Sequence, residues 1–240
     1  MCDQCNGSLR SGLSRRSLLG ALSTSAVAAA LPARFAAAAG PPPQMTITGD
    51  AALQRLTAGN ARYVANKMHV RDFAAGRAAR AKSQSPIASI LSCADSRVGP
   101  EFIFDQGPGD LFVVRVAGNI LEEEGLASLE YGAQFLNVPL IFVLGHSNCG
   151  AVDAAIKVVK DNATLPGHLP GLIDQIKSAV LAAQNTHPTN LLDVAIAENV
   201  RETVQHVTAA KPLLADMITA GKVKVAGGVY DIATGRVNLV

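Results

Sequence analysis

Five side chains follow two apolar runs of the chain, and their types are those that bind metal ions or orient a reactive water. They are Cys93, Asp95, Arg97, His146 and Cys149. Two thiolates and an imidazole suit Zn²⁺, and three protein ligands leave one position open, the pattern of catalytic rather than structural zinc sites. We therefore predict that Cys93, His146 and Cys149 bind one Zn²⁺ ion, which activates a water molecule.

Asp95 and Arg97 follow Cys93 closely enough to share its surroundings. A guanidinium holds a carboxylate in a fixed orientation through paired hydrogen bonds. Asp95 has two roles open to it. It takes the fourth metal position and closes the site, or it pairs with Arg97 and orients the water on the metal. We predict catalytic roles for both residues and count Asp95 among the metal ligands as well.

Simpler interpretations of the same residues stay open. Cys93 and Cys149 are the only cysteines after residue 38, and paired cysteines in exported proteins commonly form a disulfide. His146 could be a polar residue that merely ends a strand, and Arg97 could be a surface charge. None of these interpretations explains why all five residues cluster after two apolar runs, so we favour the metal site.

The hydrophobic pattern predicts the elements that position these residues. Short continuous apolar runs indicate buried strands, and apolar residues at helical spacing indicate amphipathic helices. Predicted strands cover 86–92, 111–116, 138–145, 223–231 and a short edge at 235–240, and predicted helices cover 50–66, 122–137, 148–160, 172–180, 192–207 and 211–221, with a brief helical turn within 102–110. Strands alternating with helices imply an α/β fold with a mainly parallel central sheet flanked by helices, and helix 50–66 forms an N-terminal helical arm.

This fold class explains how distant residues meet. The carboxyl ends of parallel strands share one edge of the sheet, and ligands bind there. If strands 86–92 and 138–145 are neighbours, Cys93 converges on His146 and Cys149. Cys149 also stands near the start of a helix, whose dipole favours the thiolate that binds metal.

The first 40 residues differ in composition from the rest. A basic region ending in SRRSLL precedes an apolar stretch at 18–31 and an alanine-rich tail. This order is typical of an export signal, and the arginine pair at 15–16 resembles the twin-arginine type. The apolar stretch is shorter than the roughly 20 residues that span a bilayer, so we expect no stable membrane anchor after cleavage.

We therefore divide the chain into an export signal at 1–38, a linker at 39–49 and a single zinc-dependent catalytic domain at 50–240, and expect a periplasmic protein. With 49% hydrophobic residues the chain can bury a substantial core. After residue 38 it holds 17 of the 21 basic and 18 of the 19 acidic residues, and it has no tryptophan. This balance gives no basic, aromatic surface for nucleic acid.

Two motifs together resemble those of one enzyme family. CADSRV at 93–98 and HSNCGAV at 146–152 are similar to the Cys-x-Asp-x-Arg and His-x-x-Cys motifs of the β-class carbonic anhydrases. FDQGPGDLFVVRVAGN at 104–119 and GGVYDIATGRV near the C-terminus extend the resemblance over most of the chain from about residue 50. Either motif alone would be weak, but the pair is highly specific.

The resemblance implies a zinc enzyme that converts CO₂ and water reversibly to bicarbonate and a proton through a zinc-bound hydroxide. By motif position, Cys93, His146 and Cys149 are the zinc ligands, and Asp95 and Arg97 orient the hydroxide. It also implies homodimers, often paired into homotetramers, with helix 50–66 against the partner. Two rival functions stay open: a hydrolase of CS₂ or COS on the same scaffold, and a non-catalytic zinc-binding protein with Asp95 fixed on the metal.

CO₂ is small and apolar, so it needs a dry wall rather than a recognition surface. The apolar candidates for that wall are Phe102, Phe112, Val116, Ala117 and Gly118. Gln106, or the backbone near Gly107, is a candidate hydrogen-bond donor to a CO₂ oxygen.

Overall fold

The computed structural model describes residues 47–240. The predicted export signal at 1–38 and most of the linker at 39–49 therefore lie outside the described residues. The described strands are β1 (Ala88–Ser92), β2 (Leu111–Arg115), β3 (Leu140–His146), β4 (Lys224–Tyr230) and β5 (Val237–Leu239). The helices are α1 (Gly49–Val64), α2 (Arg77–Arg80), α3 (Pro100–Ile103), α4 (Glu123–Phe135), α5 (Gly150–Asp161), α6 (Leu169–Asp174), α7 (Lys177–Gln184), α8 (Leu191–Ala209) and α9 (Leu213–Thr219), with a 3₁₀ turn at Ala117–Asn119.

The five strands form one sheet in the order β2-β1-β3-β4-β5. The first four are parallel to one another, and only β5 is antiparallel, to β4. Every residue of β1 and β3 is buried, as expected for central parallel strands covered on both faces. The predicted mainly parallel α/β sheet is confirmed, and β1 and β3 are neighbours as the predicted site requires.

Alternate residues of β3 pack on opposite sides of the sheet. Phe142 belongs to a core that includes Leu56 of α1, and its ring meets that of Phe104 edge to face at 5.4 Å. Ile141 belongs to a different core with Leu129 of α4. Helices therefore cover both faces, which leaves the strand ends as the accessible edge.

The N-terminal helical arm begins slightly earlier than predicted. Helix α1 starts at Gly49, and the Thr48 hydroxyl accepts a hydrogen bond from the amide of Ala51. The cap is therefore Thr48, and the carboxylate of Asp50 in the first turn pairs with Lys224.

Three other predicted elements differ from the structure. The apolar stripe at 172–180 is two helices, α6 and α7, because the amides of Gln175 and Ile176 donate to carbonyls three residues earlier instead of four. The helical turn expected within 102–110 occurs earlier, as α3, where proline occupies the favourable first turn. The helix expected from residue 148 begins at Gly150. Among the described residues, no helix has the length and apolarity needed to cross a membrane.

Candidate metal centre

The neighbouring ends of β1 and β3 bring the predicted metal ligands together. Cys93 directly follows β1, His146 is the last residue of β3, and Cys149 is the N-cap of α5. One ligand atom from each lies within 4.8 Å of the other two. All three side chains are buried, Cys93 at 4% exposure, Cys149 at 2% and His146 at 0%. Two thiols and an imidazole at this separation fit a single Zn²⁺ ion.

The imidazole of His146 is oriented for metal binding. Its Nδ1 lies 2.9 Å from the Ser147 carbonyl oxygen. Because a carbonyl only accepts, Nδ1 carries the proton and Nε2 presents its lone pair. Nε2 is buried and has no hydrogen-bond partner among the described residues. A buried polar atom is costly without a partner, so Nε2 is the atom that a metal would satisfy.

The hydrogen bond between the two cysteines changes the pKa of both. The hydrogen bond from Cys149 lowers the pKa of Cys93 to about 4, against the opposing effect of burial. The same hydrogen bond, with burial, raises the pKa of Cys149. Cys93 also accepts a hydrogen bond from the Gly118 amide, with 3.3 Å between nitrogen and Sγ. Both cysteines are free thiols, so the disulfide interpretation is wrong.

Asp95 and Arg97 form an ion pair beside the three ligands. Arg97 Nε lies 2.9 Å from Asp95 Oδ1, and Nη2 lies 2.7 Å from Oδ2. The Arg97 backbone amide donates to Oδ1 as well, at 2.9 Å. These hydrogen bonds hold the pKa of Asp95 well below its usual range. Oδ2 lies 3.8 Å from His146 Nε2, so the carboxylate lies next to the three converging ligands without being one of them.

Arg115 takes part in this site and was not predicted from the sequence. It ends β2, opposite Ser92 in the register of β1 and β2. Its Nε donates to the Cys93 carbonyl oxygen at 3.1 Å, and its Nη2 donates to the Asp95 carbonyl oxygen at 2.6 Å. Arg115 therefore fixes the backbone that carries both side chains. The one available signal was a charged residue that ends an otherwise apolar strand.

The residues proposed for the CO₂ wall are dispersed. Gly118 contacts Cys93, and Val116 packs against the core that holds both cysteines. Phe102 is 64% exposed, and Phe112 stacks on Tyr131 with the ring centroids 6.1 Å apart.

Gln106 has a structural use within the chain. It accepts a hydrogen bond from Arg55 Nε at 2.9 Å and donates to the Phe104 carbonyl oxygen at 2.6 Å. Its amide is thus bonded inside the described residues, and the donor role predicted for Gln106 finds no support in these contacts.

A mainly parallel α/β sheet with a buried Cys₂His cluster at its strand ends has the ligand set of catalytic zinc sites. Residues 88–237 match the family model described as carbonic anhydrase. The chain is 38% identical over 187 residues to carbonic anhydrase 2 of Mycobacterium tuberculosis, covering 78% of this chain and 90% of that protein. It is 36% identical over 190 residues to the carbonic anhydrase of Mycolicibacterium smegmatis, covering 79% and 92%. The chain belongs to the carbonic anhydrase family.

Solved structures give the class within the family. The β-carbonic anhydrase CcaA superposes with a TM-score of 0.62 at 27% identity, covering 78% of this chain and 91% of that one. The Coccomyxa β-carbonic anhydrase in complex with acetazolamide gives 0.60 at 27% identity, covering 78% and 81%. The predicted β-class fold, the hydration of CO₂ and the zinc cofactor are thereby confirmed.

Proposed function

We propose that Cys93, His146 and Cys149 hold the zinc ion of this carbonic anhydrase, one per subunit, and that Asp95 and Arg97 perform the catalytic roles at it. The observation that carries the proposal is the convergence of three ligand atoms within 4.8 Å of one another, next to the Asp95–Arg97 ion pair. When bound, Zn²⁺ supplies the Lewis acidity that makes water a nucleophile near neutral pH.

The protein's own groups position that chemistry. The hydrogen bond from His146 Nδ1 to the Ser147 carbonyl fixes the imidazole ring and directs Nε2 to the metal. The Gly118 amide fixes the Cys93 sulfur. Arg115 holds the backbone of the turn that carries Cys93 and Asp95. Together these contacts place the ligands before the metal arrives, which lowers the cost of ordering them.

Asp95 acts as a hydrogen-bond acceptor for the reacting water. Arg97 keeps the carboxylate ionised and fixed through two donors, so its oxygens accept and do not donate. A water that donates its hydrogen bond to Asp95 is held with a lone pair of its oxygen directed at the CO₂ carbon. In the alternative role, Asp95 released from Arg97 would be a fourth metal ligand and would close the site, so the ion pair would act as a switch.

Two rival functions make different predictions. A non-catalytic zinc-binding protein would contain zinc and show no hydration of CO₂. A CS₂ or COS hydrolase would contain zinc and favour those substrates over CO₂. The deciding experiment quantifies zinc per subunit in the purified protein and compares turnover on CO₂, CS₂ and COS. Zinc at one per subunit with CO₂ preferred is the expected result, and zinc without any turnover between pH 7 and about pH 9 would overturn the proposal.

We also propose that the chain forms a homodimer or homotetramer. Val70 and Phe73 in the segment after α1, with Phe102 of α3, are large apolar side chains left exposed, and apolar surface of this kind marks interfaces. The related β-carbonic anhydrases of Sordaria macrospora are described as tetrameric. Sedimentation of the zinc-loaded protein tests the assembly, and a monomer at micromolar concentration would contradict it.

We also propose that residues 1–38 are an export signal that directs the protein to the periplasm by the twin-arginine route, from the basic region, apolar stretch and alanine-rich tail of their sequence. Replacing Arg15 and Arg16 with lysine should leave the chain uncleaved in the cytoplasm. The measurement is the size and N-terminus of the protein in each cell fraction. Cleaved protein in the periplasm despite both substitutions would exclude this route.

A further inference from the structure

Gly118 is hydrogen-bonded on both sides, and one side leads to the metal centre. Its amide donates to Cys93 Sγ at 3.3 Å, and its carbonyl oxygen accepts from Asn199 Nδ2 at 2.8 Å. Asn199 lies in α8, far along the chain from both cysteines. A single backbone residue therefore connects a helix on the sheet's face to a predicted zinc ligand.

The turn that carries Gly118 needs such an anchor. Gly118 has φ +74°, and Asn119 after it has φ +46°, a left-handed pair that the chain does not adopt readily. A Cβ at 118 would lie 2.6 Å from Ile176 Cδ1 and 3.1 Å from Ala151 Cβ, and the positive φ strains any other residue, so both packing and backbone favour glycine. Because glycine is conformationally free, its backbone orientation must be set by its hydrogen bonds.

The two sides of this turn are held differently. Before Gly118, the Val116 amide donates to the Ser92 carbonyl, and the Val116 carbonyl accepts from Ala94, which continues the pairing with β1. The carbonyl of Gly118 itself is held by the side chain of Asn199. The Asn119 amide of the same peptide donates to the Val116 carbonyl oxygen at 3.0 Å, so without the bond from Asn199 this peptide is held through its N–H alone.

Asn199 is itself rigidly placed. Its side chain is only 3% exposed. The next residue, Val200, sits where two strand glycines leave room, since a Cβ at Gly145 or Gly227 would come within 2.7 Å of it. Helix α8 therefore lies close against β3 and β4, and it presents the Asn199 amide at a fixed height above the turn.

We propose that Asn199 is a positioning residue of the metal centre: by holding the Gly118 carbonyl, it keeps the Gly118 N–H directed at the sulfur of Cys93. Groups that orient metal ligands commonly change metal affinity by 10- to 100-fold when removed. The inference rests on the proposed role of Cys93 as a zinc ligand. It assigns a function to a buried asparagine that neither motif contains.

The test replaces Asn199 with aspartate, which keeps the shape and removes the N–H donors at neutral pH, and with serine, which is too short to reach the carbonyl. We expect the zinc dissociation constant, measured by competition with a chromophoric chelator, to rise about tenfold. In the Co²⁺-substituted protein, the thiolate-to-cobalt absorption band should shift, because one sulfur loses a hydrogen bond.

Two control variants separate positioning from general loss of stability. Thr203→Val lies one turn further along α8 and removes a hydroxyl that bonds only within the helix, to the Asn199 carbonyl. Asn60→Ala removes another buried amide, one that donates to the Ile103 and Gly235 carbonyls. Both should leave the zinc dissociation constant and the cobalt spectrum within twofold of the original, even where the melting temperature falls.

A measurement on the unaltered protein decides the matter if both Asn199 variants fail to fold. Removal of metal should speed hydrogen exchange of the Gly118 amide and the Asn199 side-chain amide by at least tenfold. The reason is that Gly118 makes both hydrogen bonds, one to the Cys93 sulfur and one to Asn199, so loosening of Cys93 weakens both. Folded variants with unchanged affinity and spectrum, or exchange rates indifferent to metal, would overturn the proposal. If instead Cys93 is not a zinc ligand, the Cys93→Ser variant would keep its zinc, and this result would distinguish failure of the proposed metal centre from failure of the role of Asn199.

Discussion

Arg97 holds Asp95 with two side-chain donors on two different oxygens, Nε to Oδ1 at 2.9 Å and Nη2 to Oδ2 at 2.7 Å. This forked geometry fixes the plane of the carboxylate as well as its position. A lysine could supply the charge but not the two fixed directions. The orientation of the acceptor beside the metal position thus depends on a guanidinium at residue 97.

Asp95→Asn tests the acceptor role directly. The amide keeps the size of the carboxylate but brings a donor where an acceptor is needed, so turnover on CO₂ should fall by about a hundredfold. Zinc content should stay at one per subunit, as measured by atomic absorption. Asp153→Asn, an exposed carboxylate paired with Lys157, is the control and should leave turnover unchanged. Full activity in Asp95→Asn would refute the role.

Arg97→Met should move the acid limb of the pH–rate profile upward. Arg97 lowers the pKa of Asp95, so without it the carboxylate becomes protonated at a higher pH and stops accepting. The pH dependence of kcat/KM for CO₂ hydration, measured with zinc content verified at each pH, reports this shift. An acid limb identical to that of the unaltered protein would show that Asp95 does not control it.

Loss of a single ligand should strip the metal. Cys149→Ser and His146→Ala each remove one of three donors, and we expect zinc to fall well below one per subunit after dialysis. His168→Ala removes an exposed imidazole at the start of α6 and should retain full zinc. If His146→Ala binds zinc as tightly as His168→Ala, the ligand set is wrong.

Gly118→Ala and Gly167→Ala form a matched pair. Both glycines have positive φ, +74° and +58°, but a Cβ at Gly167 meets nothing within 4 Å, whereas at Gly118 it meets Ile176. Backbone strain alone should cost Gly167→Ala about 1 kcal/mol of unfolding free energy. Gly118→Ala should lose about 1–3 kcal/mol more through overpacking. Urea denaturation measures both, and equal losses would contradict the close packing at 118.

Asp105→Asn should destabilise the protein without touching the metal centre. The Asp105 carboxylate is fully buried and bonded to Arg62 and Arg71, and breaking a buried pair by removing one partner costs about 3–5 kcal/mol. Burial opposes ionisation, but the two arginines lower the pKa of Asp105 overall. Its ion pairs therefore stabilise the fold above the unfolded pKa of about 3.9 and lose that effect as pH falls.

The gap in unfolding free energy between the original protein and Asp105→Asn should accordingly be largest near pH 7 and shrink towards pH 3. Denaturant titrations at several pH values check this. Asp153→Asn, at an exposed pair, should change stability by less than about 1 kcal/mol. If the difference in unfolding free energy between the two proteins increased as the pH fell, the proposed role of the Asp105 ion pairs would be contradicted.

The strand ends could be predicted because their signal is local. Continuous apolar runs mark β1 and β3, and parallel strands must end at one edge, so Cys93 and His146 had to converge once the two strands were neighbours. The paired motifs then identified the family. The neighbouring placement of the two strands follows from the metal site that the motifs require, not from the runs themselves.

Other parts of the site carried no local signal. Arg115 and Asn199 act on backbone groups that are distant in sequence, and a single polar residue shows no periodicity that would reveal such a partner. The break between α6 and α7 was missed for the opposite reason. Ile176 is fully buried, so the apolar spacing continues through a point where the helix stops.

The side-by-side placement of β1 and β3 has a consequence for how a bound cation would affect folding. Cys93 directly follows one strand, and His146 and Cys149 lie at and beyond the end of the other, so these strands cannot separate without pulling the donor set apart. A divalent ion bound by these residues would link the two central strands, and its binding energy would oppose the separation of β1 from β3. Helix α2, which contains none of these donors, would not be stabilised by the ion. Removal of the ion by a chelator should therefore lower the local stability of the central strands β1 and β3 before that of the outlying elements.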